Sequence, residues 1–143
     1  MSLNGSYARS RLSEEYLYGR AMGAAENVEL VRIAITEPEA GWDTADEHLV
    51  WHFEAKGTEL HGEYQGKDNV LANFLMKLFE ITDGTFAVEP VDIWPAGDEL
   101  VAVHYRVSMT IDGAARSGDG VLVYRIIDGL ITEVFDIPSS VLL

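Results

Sequence analysis

Asp136 stands between Phe135 and Ile137 near the end of the chain, on a segment whose neighbours are apolar. Burial penalises the charged form of a carboxyl, so its pKa is expected to rise toward the range where one group can both give and take a proton near neutral pH. The alternative is a residue that turns the chain before Pro138. Two further groups can work with it. Arg106 is a strand cation in a very acidic protein; it suits either a surface ion pair or a partner that orients Asp136 or binds an oxyanion, and beside Asp136 it would oppose the rise in pKa. His104 shares its strand face and can shuttle protons near neutral pH or serve as an ordinary structural histidine. Asp136, Arg106 and His104 are therefore the catalytic candidates.

Other chemistries find no residues to carry them. His52 and His61 have no fixed ligand spacing to a carboxylate, so no metal is expected, and no cofactor either. Glycine-rich nucleotide loops and the Gly-x-Ser-x-Gly elbow are missing. The acidic stretch from Asp43 to Glu47 is too short for a calcium loop. With no cysteine there is no thiol nucleophile or disulfide, which suits a reducing compartment, and a cytoplasmic location is the expectation.

The elements that must position these groups follow from periodicity. A helix is expected over about 13–24, with Tyr16 on one side. A second should start at an Asn27 cap, carry Val28, Val31 and Ile35 at helical spacing, and stop at Pro38. A short turn or helix around Asp43–His48 leads into a first strand, Leu49–Phe53, and the glycines at 57, 62 and 66 punctuate a loop. Asp68 can cap a third helix whose Leu71, Phe74, Leu75, Leu78 and Phe79 form an apolar stripe. Asp112-Gly113 and Asp128-Gly129 are hairpin signals, and with the break at 95–98 they divide the rest into antiparallel strands near 86–94, 100–111, 116–127 and 130–137. Helices first and a strand meander last predict an α+β fold with helices against one face of an antiparallel sheet.

The chain has 143 residues, 48% of them hydrophobic, enough for one domain with a real core. Its 24 acidic against 10 basic residues leave a net charge of -14, which repels phosphate backbones and argues against nucleic acid as a partner. The longest apolar runs are a few residues, so no membrane span is expected. In the strand from Leu100, Val101, Val103, Tyr105, Val107 and Met109 point one way and Ala102, His104, Arg106, Ser108 and Thr110 the other. Taken alone, this puts the first set in the core and the second in solvent. Between Val121 and Ile127 both parities are apolar, which predicts a sheet covered on both faces, by helices on one and by a second copy in a homodimer on the other.

Asn27-Val28-Glu29-Leu30-Val31, Val50-Trp51-His52, Tyr64-Gln65-Gly66-Lys67-Asp68 and Asp128-Gly129-Leu130-Ile131-Thr132-Glu133, in this order and spacing, resemble the SnoaL-like branch of the nuclear transport factor 2-like superfamily. The likeness spans about 27–140, which sets residues 1–25 apart as an N-terminal extension and 26–143 as the domain. The resemblance implies a cone, with a strongly curved sheet wrapped around helices and enclosing a pocket, dimeric through the outer sheet face. It also implies an apolar pocket for a small hydrophobic ligand, in which Trp51, Phe53, Phe74, Tyr16, Ser108 and Trp94 are the binding candidates and Arg106 and His104 face inward with Asp136; taken by themselves, Trp51, Phe53, Phe74, Trp94 and Tyr16 read as core aromatics. Ketosteroid isomerases of this superfamily place acids where this chain appears as Phe53 and Leu122, so that chemistry is not expected. Epoxide hydrolases of the limonene type use an Arg-x-Asp and a further Asp; Arg106, Ser108 in place of the middle Asp, and Asp136 keep two of the three, while Trp51 and Phe53 replace the water-positioning Tyr and Asn. Polyketide cyclases need an apolar pocket and one acid-base Asp, which Asp136 supplies. Three expectations result: a cyclase- or isomerase-type proton-transfer enzyme, a non-catalytic ligand-binding or assembly module, and an epoxide-hydrolase-like enzyme with altered water activation.

Overall fold

The structure, a computed structural model, describes residues 23–139. Tyr16 and nearly all of the helix expected over 13–24 lie outside them. The first described helix, α1, covers 23–36 and runs on through Asn27. Asn27 is therefore not a cap; its side-chain amide donates instead to the carbonyl of Asp98 at 2.9 Å, tying the helix to a strand hairpin far along the chain. Pro38 does end the run, but by opening a second helix, α2 (Pro38–Trp42), as a proline in a first turn can. Gly41 lets α2 close on α1, because a Cβ there would collide with the backbone of Ala34.

Strand β1 (Ala45–Phe53) starts earlier than its apolar run, replacing the turn or helix expected at 43–48. A short β2 (Gly62–Gln65) occupies part of the expected loop. The third helix exists but is not uniform: α3 (Lys67–Val70) passes into a π-helical turn (Leu71–Leu75) and then α4 (Met76–Ile81). Gly66, not Asp68, occupies the cap position. The wider turn rotates the helical residues C-terminal to it, so Phe74 is buried while Phe79 is 53% exposed, against the expected stripe.

The four late strands are β3 (Ala87–Ala96), β4 (Leu100–Ile111), β5 (Ala114–Ile127) and β6 (Leu130–Pro138). Asp112 and Asp128, each with a φ of 52°, are followed by glycines at 78° and 76°, as two-residue hairpin turns require. The six strands form one open, curved sheet in the order β2-β1-β6-β5-β4-β3. The β3–β4, β4–β5 and β5–β6 pairs are antiparallel, whereas β1 joins β6 in parallel and brings Phe53 beside Asp136. Irregularities at Pro90/Asp92 and Arg125/Ile126 break the register, as bulges that bend a sheet do. Val31, Leu49, Val70, Phe74, Val101, Val103 and Val134 are fully buried between the helices and the inner face.

Candidate active site

The inner face of the sheet and the helices enclose a cavity of about 600 Å³, within the range of small-molecule sites. Alternation along each strand decides what faces it. On β4, Tyr105, Val107 and Met109 line the cavity; on β5, Leu122 and Tyr124; on β1, Leu49, Trp51 and Phe53; on β6, Val134 and Asp136. Phe74 enters from the π-helical turn and gathers Trp51, Phe53 and Tyr64, with ring centroids 5.4, 5.0 and 5.2 Å away. The walls are apolar and aromatic, and among the described lining residues the carboxylates are Asp136 and the exposed Glu89.

Asp136 is pinned from both ends. Its backbone carbonyl accepts from the Glu54 N–H at 2.8 Å, just past the end of β1. Its carboxyl Oδ1 accepts from the hydroxyl of Tyr105 at 2.8 Å. Asp136 is half-buried as a residue and lines the cavity. Burial pushes its pKa from 3.8 up to about 7, against the opposing pull of Tyr105 and Trp51, which favour the charged form. The Trp51 indole Nε1 is buried and meets no acceptor within hydrogen-bonding geometry, so its effect on Asp136 is that of a nearby dipole rather than a formed bond. Burial, and the negative charge of Asp136, also raise the pKa of both Tyr105 and Tyr124, keeping these phenols neutral donors. The site thus presents a carboxyl whose pKa burial has raised to about 7, oriented by a phenol, inside an apolar hollow.

The expected residues divide. Asp136, Trp51, Phe53 and Phe74 come together at the cavity. Arg106 and His104 do not: with Tyr105 turned inward, its neighbours on β4 must point outward, and neither lines the cavity. Arg106 is exposed, and His104 Nε2 lies 2.7 Å from Asp119 Oδ2 on the outer face. The inward placement of these two is thereby corrected; the simpler reading of the β4 alternation describes the strand. Ser108 is exposed on that same outer side, and Trp94, 44% exposed, is likewise absent from the cavity lining. Tyr105 and Tyr124 are site residues that sequence reasoning misses. Tyr105 carries a signal, being the hydroxyl-bearing member of an otherwise aliphatic inward row. Among the described residues no cluster of His, Asp and Glu could hold a metal ion. No described helix is long and apolar enough to cross a membrane.

Comparison with solved structures places the fold among known ones. A protein of unknown function with a cystatin-like fold from Xanthomonas campestris is 25% identical with a TM-score of 0.70, covering 80% of this chain and 91% of its own. Bal32a, from a soil-derived mobile gene cassette, has a TM-score of 0.74 at 19% identity over 83% and 93% of the two chains. TerC, co-crystallized with polyporic acid, has 0.70 at 18% over 80% and 92%. No curated protein matches the chain. The SnoaL-like domain profile matches residues 37–134, from the start of α2 into β6 and ending two residues before Asp136, and the chain belongs to this SnoaL-like family of the nuclear transport factor 2-like superfamily.

Proposed function

We propose that the protein binds a small, largely apolar molecule in the cavity and exchanges a proton with it at Asp136, in chemistry of the cyclase or isomerase type. The observation that carries this reading is the Tyr105-held carboxyl of Asp136 inside an apolar hollow, with a pKa near 7. A group so poised works in either direction: its carboxylate takes a proton from carbon next to a carbonyl, and its acid form returns one to an enolate oxygen or carbon. Trp51, Phe53 and Phe74 supply flat apolar contact for a ring-bearing substrate. That a structural neighbour, TerC, was co-crystallized with polyporic acid fits such a ligand. The test is a screen of small polyketide-like and other cyclic ketones against the wild type and Asp136→Asn. A fall in turnover of at least about 100-fold, with binding kept, is expected for loss of an acid-base group; retained turnover would remove Asp136 from the mechanism.

A non-catalytic ligand-binding module is the second reading, favoured by the lack of a second buried charged group among the described residues that line the cavity. It predicts a ligand bound equally well by wild type and Asp136→Asn, with no turnover in either. The epoxide-hydrolase-like reading draws nothing from the cavity, since Arg106 and Ser108 face away from it. The outer sheet face is our proposed homodimer contact: Val121 and Ile137 are cross-strand partners there, 37% and 44% exposed. We place the protein in the cytoplasm, in keeping with its cysteine-free composition.

A further inference from the structure

Tyr105 and Asp136 sit on strands that are not neighbours. Tyr105 belongs to β4 and Asp136 to β6, and β5 runs between them. The register sets Gly120 of β5 directly opposite Tyr105, while Asp136 is opposite Leu122, two residues on. For the phenol to reach the carboxyl, its ring must cross β5 over the inner face at position 120. A Cβ placed on Gly120 would overlap Tyr105 Oη and Cζ and lie 2.8 Å from Cε2. The backbone itself makes no such demand, because Gly120 is not among the residues of positive φ. Glycine inside a strand weakens it, and where φ is ordinary it marks a place that something else must occupy.

We propose that Gly120 is a positioning residue: the missing side chain on β5 is the slot through which the Tyr105 ring crosses to hold Asp136 Oδ1. The bond to Oδ1 leaves Oδ2 as the oxygen that carries or accepts the exchanged proton. Any larger residue at 120 pushes the phenol off the carboxyl, and Asp136 then keeps its burial while losing a donor that favours its charged form. This rests on the proton-transfer reading for its purpose. Its test needs no substrate, so the two can fail separately.

The experiment is a carboxyl ¹³C NMR titration of Asp136 in the wild type, Gly120→Ala, Tyr105→Phe and the double variant. Loss of one hydrogen bond to a carboxylate moves a midpoint upward by about one pH unit. We expect that rise in Gly120→Ala and in Tyr105→Phe, with no further rise in the double variant. An unmoved midpoint in folded Gly120→Ala, or a Gly120→Ala shift that persists in full when Tyr105 is Phe, would overturn the proposal. Thermal melts of Gly120→Ala and of Tyr105→Leu/Gly120→Ala guard against misfolding. Against Tyr105→Leu alone, adding Gly120→Ala should lower the melting temperature no further, and an alanine defect of the same size with and without the ring would also overturn it.

Discussion

Tyr105 donates a 2.8 Å hydrogen bond to Asp136 across an intervening strand, joining a residue of β4 to one of β6 at the cavity surface. The bond couples two opposing effects. Burial drives the carboxyl toward its neutral form, and the phenol restrains that drive, with the balance at about 7. A carboxyl this far from its ordinary value marks a candidate site on physical grounds, independent of any resemblance.

The first prediction concerns stability and pH. Asp136 binds its proton more tightly in the folded state, with a pKa of about 7 against 3.8 when unperturbed. Its favourable contribution is therefore fully present below about pH 3.8 and is lost as the pH rises to about 7. A rise of that size corresponds to about 4 kcal/mol. Asp136→Asn, which has no charge to bury, should gain stability relative to wild type between pH 4 and pH 7, by up to roughly that amount. Urea unfolding of both proteins at a series of pH values checks it; parallel profiles would mean that the carboxyl is solvated.

Tyr105→Phe removes the donor but keeps the ring. The expected cost is about 1 kcal/mol of stability, the usual net worth of one hydrogen bond, and any pH–rate profile governed by Asp136 should shift to higher pH. Chemical denaturation gives the first number and kcat/KM against pH the second.

Phe74 is the hub of the aromatic cluster, touching Trp51, Phe53 and Tyr64 from its π-helical turn. Phe74→Ala should cost about 3–5 kcal/mol, as large-to-small changes in a packed core do. Val107, half-buried and lining the cavity, offers the opposite change. Val107→Phe should cost less stability but reduce the space, weakening an apolar fluorescent probe at least tenfold in equilibrium titration.

Arg106 and His104 serve as the counter-test. Both lie on the outer face, away from Asp136. Arg106→Ala and His104→Ala should leave the Asp136 titration midpoint where it is in the wild type, followed by carboxyl ¹³C NMR. A shift in either would show that one of these side chains reaches the cavity.

On that outer face, Val121→Lys with Ile137→Lys places charge on the proposed dimer contact. Sedimentation at micromolar concentration should then show a dimer for wild type and a monomer for the double variant. A wild-type monomer would dismiss the interface.

Local chemistry settled a good deal from the amino-acid order alone. The Asp-Gly pairs at 112–113 and 128–129 dictate their hairpins, because few residues tolerate positive φ twice in succession. The alternation from Val101 to Met109 separates two faces of β4, whereas the pKa of Asp136 was not legible there, because burial and a neighbouring Arg106 would push it in opposite directions and only the fold removes Arg106 from its side. The π-helical turn at Leu71–Leu75, the short β2 and the parallel seam of β1 on β6 were out of reach of local signals. Which face of β4 closes on the cavity also lay beyond them once β5 read as apolar on both sides, since strand parity says only that two sets of side chains diverge. The choice between Tyr105 and Arg106 as the partner of Asp136 was made by sheet register and curvature. Those come from pairing residues distant in sequence, and a register displaced by one residue exchanges every inward side chain for an outward one.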